Sequence, residues 1–388
     1  MGIADIIVLI IYVVSMLAIG VVSKGKINSM DDFILGGKRF NKFALTGTIM
    51  ATMVGSGMMM GAAGSSYTDG AGGTLLWIYF GFGFGLILMG LFSKRLRKTG
   101  ARSLAEAISS AFGTNARLAC AIVVVIYAAS LVAINVAGLR TIIIYVFGDS
   151  LNLSMELATL IAVLIPIAFT AMGGFFAVVW TDTVQLVIMI VGIFILGPII
   201  GIQAAGGIDV ITASYASEGL TLTNPLANGV SSGMIGLALS YVLASPGDPT
   251  MPQRALSAKD DKTATVSFTI SGFIAFGFAV SLLLIGGAAH VLVPGLENAD
   301  SALPMMIVQY YPPVVKGLAI AGMIAAIMSS FDSFLILATT HIMYDIGKVI
   351  KPDLSDEKIH KSLPILTVVP VSYTHLLSPS KAAISFTE

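Results

Sequence analysis

Apolar residues arrive in this chain in runs about as long as a bilayer is thick, and that feature limits the fold more than any other. A helix needs roughly 20 apolar residues to cross the hydrocarbon core. Runs of that order recur from residues 6–22 to the stretch that closes near Asp345. Inside a bilayer each backbone polar group must find a partner within the protein, and for runs this long the solution is the helix. Charged residues make up 11% of the 388 residues, against about 25% in a soluble domain. Too few charges remain to build a water-facing surface, so the sequence reads as an all-α polytopic membrane protein.

We place nine spans, near 5–22, 43–66, 73–93, 117–146, 155–172, 177–203, 230–247, 265–293 and 317–345. The fourth is long enough to include a turn outside the membrane. Residues 303–311 form a short amphipathic segment at the surface, closed by Pro312 and Pro313.

Lys and Arg concentrate in cytoplasmic loops. With the N-terminus outside, 18 of the 21 basic residues fall on the inner side; Arg140, Lys316 and Lys381 are the exceptions. The outer loop 204–229 holds Asp209 and Glu218 and neither Lys nor Arg. Asp5 precedes the first apolar run and Lys24 and Lys26 follow it, the reverse of a secretory signal. The expected location is the cell membrane, with the C-terminal end cytoplasmic. After Lys361 an apolar run of about 13 residues holds Pro370 and is too short to span. We read a helix starting near Leu363 that gives way past Val369 to a truncated or out-of-frame tail, so 362–388 is set apart from the membrane domain 1–361.

Two spans carry residues that a plain helix avoids. Gly47, Gly55, Gly57, Gly61 and Gly64 crowd the second. Glycine costs about 1 kcal/mol in a helix interior. Small residues also let membrane helices pack closely, as in Gly57-x-x-x-Gly61 and Gly81-x-x-x-Gly85. The other reading is a helix broken at 54–57, whose freed carbonyls could hold a hard cation. The seventh span ends with Pro246, Gly247, Pro249 and Pro252, a pattern against a regular helix. Interrupted helices at matching places in two halves point to a transporter site at the midplane.

The ninth span sets Ala326, Ser329, Ser330 and Ser333 within an arc of roughly 100°. Hydroxyls on one face offer neutral oxygen ligands that suit sodium, though they also bond back to the preceding turn. Asp332 in the same span is a functional candidate if it lies at membrane depth, and costs little near the interface. Asp182, near the start of the sixth span, leaves the same two readings open. Gly229-Val230-Ser231-Ser232-Gly233 matches a nucleophile elbow but opens a membrane span, and the four histidines fit no metal spacing. No enzyme, organic cofactor or nucleic-acid partner is expected.

From about Ile6 to Lys361 the chain resembles the sodium:solute symporter family. Gly173-Gly174-Phe175 through Thr181-Asp182 to Gln185 is similar to the family signature between core helices four and five. Residues 325–333 resemble its eighth core helix, and Gly247-Asp248-Pro249 with Gln253-Arg254 its broken sixth. The resemblance implies a LeuT-like fold of two inverted five-helix repeats, with one extra N-terminal helix. The extra helix is 5–22, the first repeat 43–203 and a partial second repeat 230–345, without the last two core helices. It implies a sodium site at Ala51, Val54, Ala326, Ser329 and Ser330, and a candidate second cation site at Asp182, Asp332 and Ser333. Solute contacts would come from Gly55, Ser56, Gly57, Met58 and Met59, and from Tyr241, Ala244, Ser245, Gly247 and Asp248. The implied activity is sodium-coupled symport of a small organic solute, with an amino acid, carboxylate or vitamin-like compound favoured. Met58 stands where sugar-transporting members place a polar group, which disfavours a sugar. A channel, or a non-transporting fragment or sensor, are the rival readings.

Overall fold

The computed structural model describes residues 1–55, 57–151, 153–226 and 229–366. Among these the chain is helical, with one isolated bridge between Phe40 and Ala258. In order the helices are α1 (Ile3–Lys24), α2 (Met30–Leu35), α3 (Lys42–Met53), α4 (Ala62–Asp69), α5 (Leu75–Lys98), α6 (Leu104–Phe112), α7 (Thr114–Leu151), α8 (Met155–Met189) and α9 (Leu196–Ala204). They continue as α10 (Ile208–Ser217), α11 (Ser232–Gly247), α12 (Thr250–Ser257), α13 (Asp261–Leu292), α14 (Ala302–Tyr310), α15 (Val315–Thr340), α16 (Gly347–Ile350) and α17 (Asp356–Leu366). Wider π turns at Gly57–Gly61, Ile190–Ile195 and His341–Ile346 lead into α4, α9 and α16.

Six helical stretches among the described residues are long and apolar enough to cross a membrane. The bent pair Lys42–Met53 and Gly57–Gly72 makes a seventh if taken as one span. Of the nine expected spans, 155–172 opens α8, which continues through a kink at Gly174 to Met189, and 230–247 yields the 16-residue α11. The turn expected inside the fourth span is absent, because α7 runs through it as one helix. The helix expected near Leu363 begins earlier, at Asp356. The tail past Val369 lies outside the described residues.

The prolines break the seventh span at one place. α11 continues through Pro246 to Gly247, the chain turns at Asp248–Pro249, and α12 starts at Thr250. Pro252 then falls in the first turn of α12, where a backbone N–H would lack a helical partner in any case.

α15 is the central helix. Residues 319–340 are all buried, packed by α1, α3, α7 and α8. A second group joins α5, α11 and α13, and α3 touches both groups. The small residues on α5 act here as close-packing positions. A Cβ on Gly81 would fall 2.1 Å from the Ala238 carbonyl oxygen, and one on Gly85 would fall 2.6 Å from Ser245 Cβ. Gly57, by contrast, has nothing within 4 Å of such an atom, so packing does not explain it.

Asp5 does more than flank the first apolar run. Its Oδ1 accepts from the backbone N–H groups of Val314 (2.9 Å) and Gly317 (3.1 Å), which caps the first turn of α15. Several of the basic residues assigned to the inner side pair up at one end of the helices. Arg102 meets Asp31 and Asp356, Lys348 meets Asp356, and Arg117 meets the buried Asp345. The Lys348 ammonium, with Arg102, holds the Asp356 carboxyl below the usual carboxylate range.

Candidate functional site

α3 stops at Met53 because Val54 leaves the helical region, with ψ at 62°. The last carbonyls of a helix have no partners within it. Those of Ala51 and Thr52 are deep in protein and need partners from elsewhere. α15 supplies them. The Ser329 hydroxyl donates to the Ala51 carbonyl at 2.8 Å and to the Ala326 carbonyl at 3.1 Å. The Ser330 hydroxyl donates to the Thr52 carbonyl at 2.7 Å and to the Ala326 carbonyl at 3.2 Å.

Four of the five expected sodium residues, Ala51, Ala326, Ser329 and Ser330, thus converge. Val54 is buried at the break, with its N–H on the Met50 carbonyl. Thr52 joins the set without having been expected. Back-bonding and cross-helix bonding are both present: each hydroxyl is shared between its own preceding turn and α3. The group is five neutral oxygens, two hydroxyls and three carbonyls, of which those of Ala51 and Thr52 lie at the end of α3 and that of Ala326 lies within α15, with no fixed positive charge among them. That donor set suits a hard monovalent cation, which would displace hydroxyl protons from the carbonyls and take their place.

The signature residues place Asp182. α8 changes direction at Gly174, whose φ of 49° and ψ of −153° lie outside the helical region. A side chain there would also strike the Phe33 ring at 2.7 Å. Asp182, beyond the kink, and Asp332, on α15, are both fully buried in protein. Asp182 accepts from the Thr48 hydroxyl at 2.5 Å and pairs with the Arg254 guanidinium at 3.4 Å. Arg254 donates through Nε to the Thr48 carbonyl and through Nη1 to the Thr250 carbonyl. Its Nη2 donates to Ser333, and also to Thr52. The guanidinium lies over the Phe175 ring at 5.6 Å.

The residues of the expected second cation site are arranged differently from one another. Asp182 and Ser333 do meet, but around a guanidinium, so the positive charge there is already part of the chain. Asp332 makes no hydrogen bond to either among the described residues and accepts from the Thr170 hydroxyl at 2.9 Å. Sequence reasoning missed Thr48, Thr52, Thr170 and Arg254 as site residues. The spacing of Thr48 and Thr52, one helical turn apart, was the available signal for two of them.

Between the two breaks lies a cavity of about 350 Å³. Gly55, Gly57, Met58, Tyr241, Ala244, Ser245 and Asp248 line it as expected. Met59 does not, because it is fully buried in the core, and Gly247 is not part of the wall. Ser56 lies outside the described residues. The Tyr79 hydroxyl donates to the Met58 carbonyl at 2.7 Å and anchors the segment after the break. Thr52 and Ser330 belong to both the cavity wall and the oxygen set, so the two sites share a boundary.

A model of the sodium:solute symporter family matches residues 33–382. The chain belongs to that family. Curated relatives include the sodium/glucose cotransporter 4 of Danio rerio, 26% identical over 92% of this chain, and the sodium/pantothenate symporter of Haemophilus influenzae, 24% identical over 90%. The sodium/proline symporter of Haemophilus influenzae is 27% identical over 90% of the chain. This chain spans 60% of the Danio rerio protein's length, and 73% and 72% of the two bacterial ones. A solved structure of a Na+-coupled sialic acid symporter in a substrate-bound outward-open state aligns with a TM-score of 0.86 and 22% identity, covering 98% of this chain and 83% of that one. The fold of this family member is thus that of a sodium-coupled symporter, and with its long apolar helices it is a multi-pass membrane protein.

Proposed function

We propose that this chain carries out sodium-coupled symport of a small organic solute by alternating access. One observation bears most of the weight: Ser329 and Ser330 on the central helix α15 bond directly to the carbonyls at the broken end of α3. Sodium held among Ala51, Thr52, Ala326, Ser329 and Ser330, with Val54 at the break, would tie α15 to α3. The solute would occupy the cavity next to it, against Gly55, Gly57, Met58, Tyr241, Ala244, Ser245 and Asp248. Ser56 belongs to the same proposed solute segment.

Sodium shifts the balance between outward-open and inward-open states only through unequal affinity for the two. A site built across two helix groups supplies that inequality, since its oxygens stay together only while α3 and α15 keep their contact. Entry of one charge down the membrane potential contributes about 2.3 kcal/mol per 100 mV. The N-terminus is placed outside, supported by the one-sided basic residues that pair around Asp31, Asp345 and Asp356.

The test is solute-stimulated uptake of radioactive sodium into proteoliposomes containing the chain. Ser329→Ala with Ser330→Ala should lower apparent sodium affinity by at least about tenfold, the loss expected from removing two ligands at roughly 1 kcal/mol each. Unchanged sodium dependence in the double variant would defeat the proposal.

A further inference from the structure

We infer that the solute carries a protonated amine, and that Asp248 reads it with Tyr127 beside it. This rests on the symport reading and narrows it to a chemical class. Asp248 is the acidic residue in the described wall of the cavity, and no Lys, Arg or His stands there with it. A solute that was only a carboxylate would meet this charge with no side-chain cation to offset it. A solute with an ammonium group would supply the missing partner.

Three donors already reach Asp248. Its Oδ1 accepts from the Thr250 backbone N–H at 2.8 Å and from the Thr250 hydroxyl at 2.5 Å. Its Oδ2 accepts from the Tyr127 hydroxyl at 2.8 Å. A carboxylate has about four lone-pair positions, so one remains for a ligand. The buried cation closest in chain, Arg254, is committed to Thr48, Thr52, Asp182, Thr250 and Ser333. A divalent metal is a poor alternative, because among the described residues no cluster of three acidic, His or Cys side chains exists to hold one.

The rest of the wall fits the same class. Phe82, Tyr127, Tyr241 and Phe334 bring aromatic rings to the cavity, and ring faces attract ammonium groups. Tyr127 packs edge-on against Phe334 with ring centroids 5.8 Å apart, which fixes the hydroxyl that meets Asp248. Thr52 and Ser330, also in the cavity wall, adjoin the proposed sodium. A bound ion there would set positive charge against the negative charge of Asp248 across the cavity. A small zwitterion matches both ends, its ammonium toward Asp248 and its carboxylate toward the ion.

The experiment is ligand-dependent thermal stabilisation of the full chain in lipid nanodiscs, in sodium and in potassium. The probes are three mixtures: natural amino acids, their desamino carboxylic acids, and their decarboxylated amines. The amino-acid or amine mixture should raise Tm in sodium, and the desamino acids should not. Asp248→Asn should weaken the active probe by roughly tenfold or more, the scale of a charge-assisted hydrogen bond. Tyr127→Phe, which leaves the Thr250 contacts intact, should weaken it severalfold, and both variants should keep the shift caused by sodium alone. The inference is overturned if desamino acids stabilise as well as amines, if no amine stabilises, or if both variants bind the amine at full strength. Failure of sodium alone to stabilise the wild-type chain would instead sink the symport reading.

Discussion

Arg254 and Asp332 are both buried in the helix core, and the structure treats their charges in opposite ways. Arg254 is paired with Asp182, bonded through all three guanidinium nitrogens and stacked over Phe175. Removing one member of such a pair strands the other, typically at about 3–5 kcal/mol. Arg254→Ala should therefore lower stability by that amount, read from chemical or thermal unfolding in detergent. Asp332 has a single hydroxyl donor and leaves Oδ2 without a partner among the described residues. Asp332→Asn keeps an acceptor for Thr170 and removes a buried charge, so its Tm should be unchanged or higher. A large loss in Asp332→Asn would mean that its charge is used by a ligand. The two aspartates were legible as candidates because carboxylates are rare in apolar spans. Their partners were not, since Asp182 and Arg254 lie 72 residues apart and only tertiary folding brings them together.

Among the elements, the two breaks and the central helix explain why some glycines matter more than others. Gly81 faces the backbone of α11, where a methyl group would overlap the Ala238 carbonyl. Gly81→Ala should cost about 1–3 kcal/mol through a forced shift of α5 against α11. Gly57 has open space around it, so Gly57→Ala should leave the unfolding free energy within about 0.5 kcal/mol of wild type while narrowing the cavity it lines. Equal losses at both positions would contradict the distinction. Asp5 ties the first helix to the start of α15, and Asp5→Ala should cost about 0.5–2 kcal/mol, as loss of a helix cap does elsewhere. Sequence patterning found both interrupted regions. It could not separate packing glycines from hinge glycines, because that depends on which neighbour faces each one. It did not locate the break among Pro246, Pro249 and Pro252, because a proline in the first or last turn does not end a helix.

Across the whole molecule, a buried central helix is held by one group of helices while α3 bridges it to the other group. The fold class, the convergence of Ala51, Ala326, Ser329 and Ser330 and most of the cavity wall followed from the sequence and its family resemblance. Thr52 joined the set because a helix end exposes carbonyls in sequence order, and it lies between the named Ala51 and Val54. The central claim is that one cation binds between the broken end of α3 and the paired hydroxyls of α15. Equilibrium binding of radioactive sodium to the purified chain, compared with Ser329→Ala and Ser330→Ala separately and together, tests it most directly. We expect saturable binding that potassium does not compete, weakened in each single variant and lost in the double. Full-strength sodium binding in the double variant would contradict the account.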